Sequence, residues 1–166
     1  MGSDSDLPVM KDAAVVLEEL GVGSEVHVLS AHRTPEAVVE YIKGAEAKGL
    51  KVFVCGAGGA AHLSGIVAAN TALPVIGVPI MSKTTQGVDA LFSTVQMPPG
   101  VPVATVAING AKNAGILAAQ IIGTGNDEVR KSVVAYKQKI AKEVSDKDEK
   151  LQEKGFKKYL EDSGLI

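Results

Sequence analysis

Two short stretches hold the residues best suited to chemistry. Ser30-Ala31-His32-Arg33-Thr34-Pro35 brings a hydroxyl, an imidazole and a guanidinium together, and Gly56-Ala57-Gly58-Gly59-Ala60-Ala61-His62-Leu63 brings bare backbone and a second imidazole. An imidazole takes up and returns a proton near neutral pH. A guanidinium holds phosphate or carboxylate through paired N–H groups, and glycines let backbone N–H groups come close to a ligand. The pair of stretches reads as a site for a small anionic substrate that needs a proton moved. Gly56-x-Gly58-x-x-Ala61 also fits the dinucleotide fingerprint formally. That reading needs an acidic residue roughly 20 positions on for the ribose, and no Asp or Glu stands between Glu46 and Asp89. The glycines therefore read as a close approach of backbone to ligand.

The flanking residues say how these stretches are positioned. β-Branched runs at 25–29 and 51–55 precede them and read as buried strands, with further strands at 73–79, closed by Pro79, and 103–108. Loops at the carboxyl ends of parallel strands are where open α/β sheets bind ligands. Ahead of the first helix, Asp6 is an expected N-cap and Pro8 falls in the first turn. Val9, Ala13, Val16, Leu17 and Leu20 form its apolar face, and Gly21 or Gly23 ends it. Ser3 and Ser5 at that helix start could cradle a phosphate. Thr34 is the expected cap of the second helix, with Pro35 at its first position and Val38, Tyr41, Ile42 and Ala45 as its buried stripe. Arg33 sits at the positive end of that helix, a conflict that a bound anion would resolve.

A helix over 62–71 is expected to pack Leu63, Ile66 and Val67, and residues 82–86 form a polar loop over the site. A short helix over 88–95 and a proline-rich turn at 97–102 follow, then a small-residue helix over 114–122. Asp127 is the expected cap of a long charged helix whose stripe is Val129, Val133, Tyr136, Ile140 and Val144. Strands alternating with helices predict a parallel sheet covered on both faces. The expected division is a catalytic unit over 1–125 and a helical extension over 126–166 that docks on another subunit.

The totals bound the function. With 166 residues, 46% hydrophobic and 22% charged, the chain can bury a core of its own. A net charge of −2 argues against a general nucleic-acid binder. The single cysteine, Cys55, excludes an internal disulfide and fits a reducing compartment. No apolar run is long enough to span a bilayer, and the expected location is the cytoplasm.

Gly2-Ser3-Asp4-Ser5-Asp6, the two stretches above, and Gln96-Met97-Pro98-Pro99-Gly100-Val101-Pro102 stand in series. Together they resemble the N5-carboxyaminoimidazole ribonucleotide mutases of purine biosynthesis, from Met1 to about residue 140. The resemblance implies a flavodoxin-like three-layer fold, a homo-octamer, and no cofactor or metal. A sister class carboxylates aminoimidazole ribonucleotide directly and carries an Ala-Gly-Arg-Ser-Asn type of sequence where this chain has Gly56 to His62, so the mutase class is implied. Carried over by position, Ser3, Ser5 and Asp6 line the ribose-phosphate pocket, and Ser30 and Arg33 help hold the phosphate. His32 transfers the proton. The backbone of Ala57, Gly58, Gly59 and Ala60 faces the migrating carboxylate, with His62 and Leu63 closing the wall. A binding module for a phosphorylated ligand, without chemistry, is the alternative from a different class.

One expectation concerns the middle of the sheet. In the family the Gly-Ser-x-Ser-Asp turn follows a buried strand ending at the residue that matches Met1. In the order 2-1-3-4-5 that strand lies between residues 25–29 and 51–55. The expectation is a chain truncated at its amino end, for instance by a misplaced start codon, whose working form has about 6–12 more residues, room for a typical strand of 5–6. A gap between those two runs would fit this expectation; direct pairing of the two would not.

Overall fold

The computed structural model describes residues 1–164. A 3₁₀ turn, Asp4–Asp6, leads into α1 (Leu7–Glu19), followed by α2 (Pro35–Ala47), β1 (Phe53–Gly58), α3 (Leu63–Ala69), β2 (Val75–Ile80), α4 (Val88–Val95), β3 (Ala104–Thr105), α5 (Ala111–Gly123), α6 (Asp127–Lys154) and α7 (Phe156–Ser163). The strands form a parallel sheet in the order β1-β2-β3, with Phe53 opposite Val75 and Ile76 opposite Ala104. β2 is buried along its whole length, as expected of a central parallel strand.

Helices cover both faces, which gives the expected three layers. On one face Met10, Ala13, Val16 and Leu17 of α1 pack with Ala114, Ala118 and Ala119 of α5, Val129 and Val133 of α6, and Ile76 and Val78 of β2. On the other, Val38, Ile42 and Ala45 of α2 and Leu63 and Val67 of α3 pack on Phe53, Cys55 and Val75. The small residues of α5 allow α1 very close: a Cβ at Gly115 would lie 2.5 Å from Val16 Cγ1 and 2.7 Å from the Ala13 carbonyl oxygen. Gly21, at φ +74°, ends the first helical unit, as its permissive backbone allows.

Several details depart from the sequence reading. Residues 25–29 form no strand, and all but the half-buried Leu29 lie exposed, because almost nothing supplies the ladder bonds that would fix them. They do not pair with β1: a cavity of about 550 Å³ separates the two, bounded by Met1, His27, Val52 and Val54. The third run extends through Pro79, which pairs with Ala57 inside β2. The ring is accommodated because its nitrogen faces the β3 side, where β3 has already ended at Thr105; only the Pro79 carbonyl is used there, by Asn109 N–H at 2.8 Å. The last strand shrinks to Ala104–Thr105. Ile66 stays 38% exposed, while its neighbour Ser64 is buried. The cap of α6 is Asn126, whose side-chain oxygen accepts from Glu128 N–H (3.0 Å) and Val129 N–H (3.2 Å), and Asp127 is the first helical residue. Of the α6 stripe, Val129 and Val133 are buried, but Ile140 and Val144 are exposed. No helix among the described residues is long and apolar enough to cross a membrane.

Candidate active site

A cleft of about 500 Å³ opens at the carboxyl end of the sheet. β1 runs directly into it: Ala57 and Gly58 are its last two strand residues, and the chain turns at Gly59 with φ +62°, a conformation glycine adopts without strain. A Cβ at Gly58 would lie 3.3 Å from the Ile80 carbonyl oxygen, so the wall stays narrow because both strand ends press together. Ala60 continues that wall, and Leu63, buried at the start of α3, closes it from below.

The Ser30-Ala31-His32-Arg33 loop forms the opposite side. Its shape comes from hydrogen bonds made by Ser30 and Thr34. Ser30 N–H donates to Thr34 Oγ1 (3.0 Å), and Thr34 N–H donates to the Ser30 carbonyl (2.9 Å). Thr34 does stand at the N-cap of α2, but its hydroxyl is turned to Ser30 and leaves the first-turn amides of the helix uncapped. Ser30 Oγ accepts from both the backbone N–H (3.2 Å) and Nε (3.3 Å) of Arg33. Arg33 Nη2 donates to the Gly2 carbonyl at 3.0 Å, which ties this loop to the amino-terminal turn. Arg33 is solvent-exposed and ion-paired to no carboxylate among the described residues, so both Nη1 hydrogens and one on Nη2 face open space where an anion can bind.

The amino-terminal turn supplies hydroxyls and one carboxylate. Ser5 Oγ–H donates to Ser3 Oγ (2.9 Å), and Ser5 N–H donates to Ser3 Oγ (3.3 Å). Asp6 occupies the N-cap position of α1 without capping it, since its side chain makes no bond to the helix amides. It is buried, and burial pushes its carboxyl above the ordinary carboxylate range, opposed by the Ser3 backbone, the nearby chain-terminal ammonium and the Ser5 hydroxyl. Protonated or ionised, it is placed to accept hydroxyl hydrogens from a ligand.

The two imidazoles meet across the cleft. His32 Nε2 and His62 Nδ1 are 2.7 Å apart, with the rings edge to face at 4.7 Å between centroids. A contact that short holds a single proton between the nitrogens. When His32 donates it, His32 Nδ1 is the free basic nitrogen, and the donated bond grows stronger as that nitrogen becomes protonated. Cys55, directly behind the wall, takes no part: burial pushes its thiol up to about 12. No cluster of three or more His, Cys, Asp or Glu that could hold a metal occurs among the described residues.

Every candidate residue from the sequence borders this cleft: Ser3, Ser5, Asp6, Ser30, His32, Arg33, Ala57, Gly58, Gly59, Ala60, His62 and Leu63. Gly2, Ala31, Ile80 and Met81 also line it without being candidates from the sequence, and so does Ser82, expected there only as the start of a covering loop. Gly2 contributes a carbonyl, which no side-chain pattern announces. Ile80 and Met81 follow from topology, since β2 lies beside β1 and its end must border the same crevice.

Comparison with known proteins places the chain as follows. The family model for AIR carboxylase matches residues 1–143. The chain is 58% identical over 160 residues to the N5-carboxyaminoimidazole ribonucleotide mutase of Thermotoga maritima, covering 96% of this chain and 94% of that protein. It is 55% identical over 160 residues to the mutase of the same name from Pyrococcus horikoshii, covering 96% and 90% respectively. The crystal structure of Treponema denticola PurE superposes with a TM-score of 0.84 at 34% identity, covering 91% of this chain and 94% of that one.

Proposed function

The chain belongs to the AIR carboxylase family, and from that premise we propose that it is an N5-carboxyaminoimidazole ribonucleotide mutase. It moves the carboxylate of its substrate from the exocyclic nitrogen to ring carbon C4, in purine biosynthesis. The observation that carries this reading is one cleft in which His32, held by His62 at 2.7 Å, joins Arg33, the Ser3–Asp6 turn and the glycine wall.

The residues divide the work by their chemistry. Arg33, with Ser3, Ser5 and the uncapped start of α2, binds the phosphate, and this remote anchor positions the ring. Asp6 takes ribose hydroxyls. His32, protonated, gives a proton to the exocyclic nitrogen as its bond to the carboxylate breaks and carbon dioxide leaves. The electron-rich ring then attacks carbon dioxide through C4, and neutral His32 removes the C4 proton, which restores both the aromatic ring and the imidazolium. The balance is one carboxyl group moved from nitrogen to carbon and one proton moved from carbon to nitrogen. Carbon dioxide must stay in place between the two steps, and the narrow wall of residues 57–60 confines it and offers amides to the carboxylate before and after transfer. His62 orients His32 and accepts its Nε2 proton.

The test supplies purified protein with the N-carboxylated substrate in buffer containing isotopically labelled bicarbonate. The 4-carboxy product should form equally well when bicarbonate is left out and, when it is present, retain mostly the substrate's own unlabelled carboxyl. A reaction that needs aminoimidazole ribonucleotide plus bicarbonate, with full label incorporation, would make the chain a direct carboxylase. No turnover with either substrate, but ligand-dependent stabilisation, would make it a binding module.

The same reading includes a cytoplasmic homo-octamer, with residues 1–125 as the catalytic unit and 126–166 in subunit contacts. The exposed Ile140 and Val144 on α6 support that part, and a monomeric mass by light scattering would refute it.

A further inference from the structure

Among the described residues, Gln86 and Asn109 are the non-glycine residues with left-handed backbone, both at φ +57°. Such residues are uncommon, and they collect where the surrounding structure over-determines them, active sites included. These two hold one segment, Met81-Ser82, which leaves β2 and lines the active-site cleft.

The pairing of β2 with the chain after β3 accounts for Asn109. Ile76 stands opposite Ala104 and Gly77 opposite Thr105. Val106 continues that register, its N–H donating to the Gly77 carbonyl at 3.1 Å. Its own carbonyl would next accept from residue 79, but Pro79 has no N–H, and the ladder breaks. Asn109 resumes it. Its N–H donates to the Pro79 carbonyl at 2.8 Å, and its side-chain Oδ1 accepts from Met81 N–H at 2.9 Å. Those are the bonds of a residue opposite Ile80 in a parallel ladder, with a side-chain oxygen in place of the main-chain carbonyl. The turn that brings Asn109 there is closed by Gly110 N–H on the Ala107 carbonyl at 2.8 Å. A positive φ at the third residue of such a turn favours Gly or Asn, and of those two only Asn carries the acceptor that Met81 uses.

The approach to α4 holds the segment from the other end. Gln86 N–H donates to the Ser82 carbonyl at 3.1 Å, and Thr85 N–H donates to Ser82 Oγ at 3.3 Å. A Cβ at Gly87 would lie 2.7 Å from Ile108 Cγ2 and 3.1 Å from Met81 Cα, so the start of α4 presses on both. The place of the β2 end matters to the site. Ile80 stands opposite Gly58, and its carbonyl oxygen is 3.3 Å from where a Cβ on Gly58 would lie. Both residues line the cleft.

Building on the mutase reading above, we propose that Asn109 is a positioning residue for the carboxyl transfer: its side-chain oxygen completes the broken rung of β2 and so sets the width of the slot between Gly58 and Ile80 that confines carbon dioxide. Asn109 stands behind the cleft lining and acts through Met81. Without the oxygen, Met81 N–H loses its acceptor, the end of β2 is freed from its rung, and the slot widens. Carbon dioxide then escapes more often before the ring attacks it. The phosphate anchor at Arg33 is tied to Ser30 and Gly2 and keeps its place.

The test compares the parent with Asn109→Gly and Asn109→Asp. Glycine keeps the left-handed backbone and its N–H but lacks the oxygen; aspartate keeps an oxygen acceptor and tolerates the same backbone. Each chain is given the N-carboxylated substrate in labelled bicarbonate. In Asn109→Gly the share of label in the 4-carboxy product should rise about threefold or more, and the turnover number should fall about tenfold. Its Michaelis constant should stay within about threefold of the parent. Asn109→Asp should return all of these to within about twofold of the parent. Parental labelling and turnover in Asn109→Gly would overturn the proposal. So would a loss of activity that aspartate does not restore, which would mark plain destabilisation. A parent that turns over no N-carboxylated substrate is a failure of the mutase reading, and the rung is then decided by hydrogen exchange. The Met81 amide should exchange about fivefold faster or more in Asn109→Gly than in the parent or Asn109→Asp; equal rates in all three chains would overturn the positioning role.

Discussion

Replacing Arg33 by alanine separates anchoring from chemistry. The guanidinium spends Nε on Ser30 Oγ and one Nη2 hydrogen on the Gly2 carbonyl, which leaves a fork of Nη1 and Nη2 hydrogens for two bonds to a phosphate. Hydrogen bonds to charged groups contribute about 1.5–3 kcal/mol each. Arg33 is exposed, so solvent screening reduces the pair to about 2–3 kcal/mol in total. At about 1.4 kcal/mol per factor of ten, the Michaelis constant of Arg33→Ala should rise roughly 30- to 150-fold. The turnover number should change much less, because the phosphate is bound equally in the ground and transition states. The assay is steady-state kinetics with the N-carboxylated substrate, together with competitive inhibition by ribose 5-phosphate, which should weaken in parallel. Arg33→Lys should recover only part of the loss, since an ammonium keeps the charge but not the fork. An unchanged Michaelis constant in Arg33→Ala, with unchanged inhibition, would refute the anchoring role and put the phosphate elsewhere in the cleft.

Other outcomes follow from single features. Asp6 has its carboxyl held above the usual range, so its contribution to stability is fully present below pH 3.8 and is lost as pH rises through its folded value. Asp6→Asn should therefore gain stability relative to the parent between acid and neutral pH while losing affinity for the ribose; denaturation at pH 3.5 and pH 7 checks the sign, and a gap that narrows with pH contradicts it. Gly115→Ala puts a methyl 2.7 Å from the Ala13 carbonyl oxygen, a backbone atom that cannot step aside. It should destabilise by about 1–3 kcal/mol in spite of alanine's helix propensity, which a thermal melt would register as a fall of roughly 2–4 °C per kcal/mol. Deletion of residues after Ser145 should leave the oligomeric mass by light scattering unchanged, since none of the described residues of that segment is buried; dissociation would assign it the main contacts.

The site was legible in the sequence because its chemistry is local. Ser30, His32 and Arg33 share one loop, and residues 57–63 follow one strand, so a single topological rule brings both to one crevice. The His32–His62 contact was not legible, since it joins side chains 30 residues apart whose distance depends on how two loops pack. The helices were read well wherever a stripe of apolar residues met a glycine stop or a proline start, as in α1 and α2. The strands were read less well because a β-branched run states a preference, and only partner strands convert it into a ladder. Residues 25–29 have the composition of a strand and, among the described residues, only Met1 to pair with. Pro79 had the look of a terminator and is tolerated because β3 ends before reaching it. The cap of α6 fell on Asn126 and not Asp127, a one-residue choice between adjacent good caps that is decided by the turn after α5.

The account turns on His32 as the group that carries a proton between ring carbon and nitrogen. His32→Asn keeps a polar side chain of similar size and removes the basic nitrogen. Turnover with the N-carboxylated substrate should fall by about 10²–10⁴-fold or more, while calorimetric binding of aminoimidazole ribonucleotide stays within about tenfold of the parent, because affinity resides in the phosphate and ribose contacts. Substantial residual turnover in His32→Asn, with binding intact, would contradict the account.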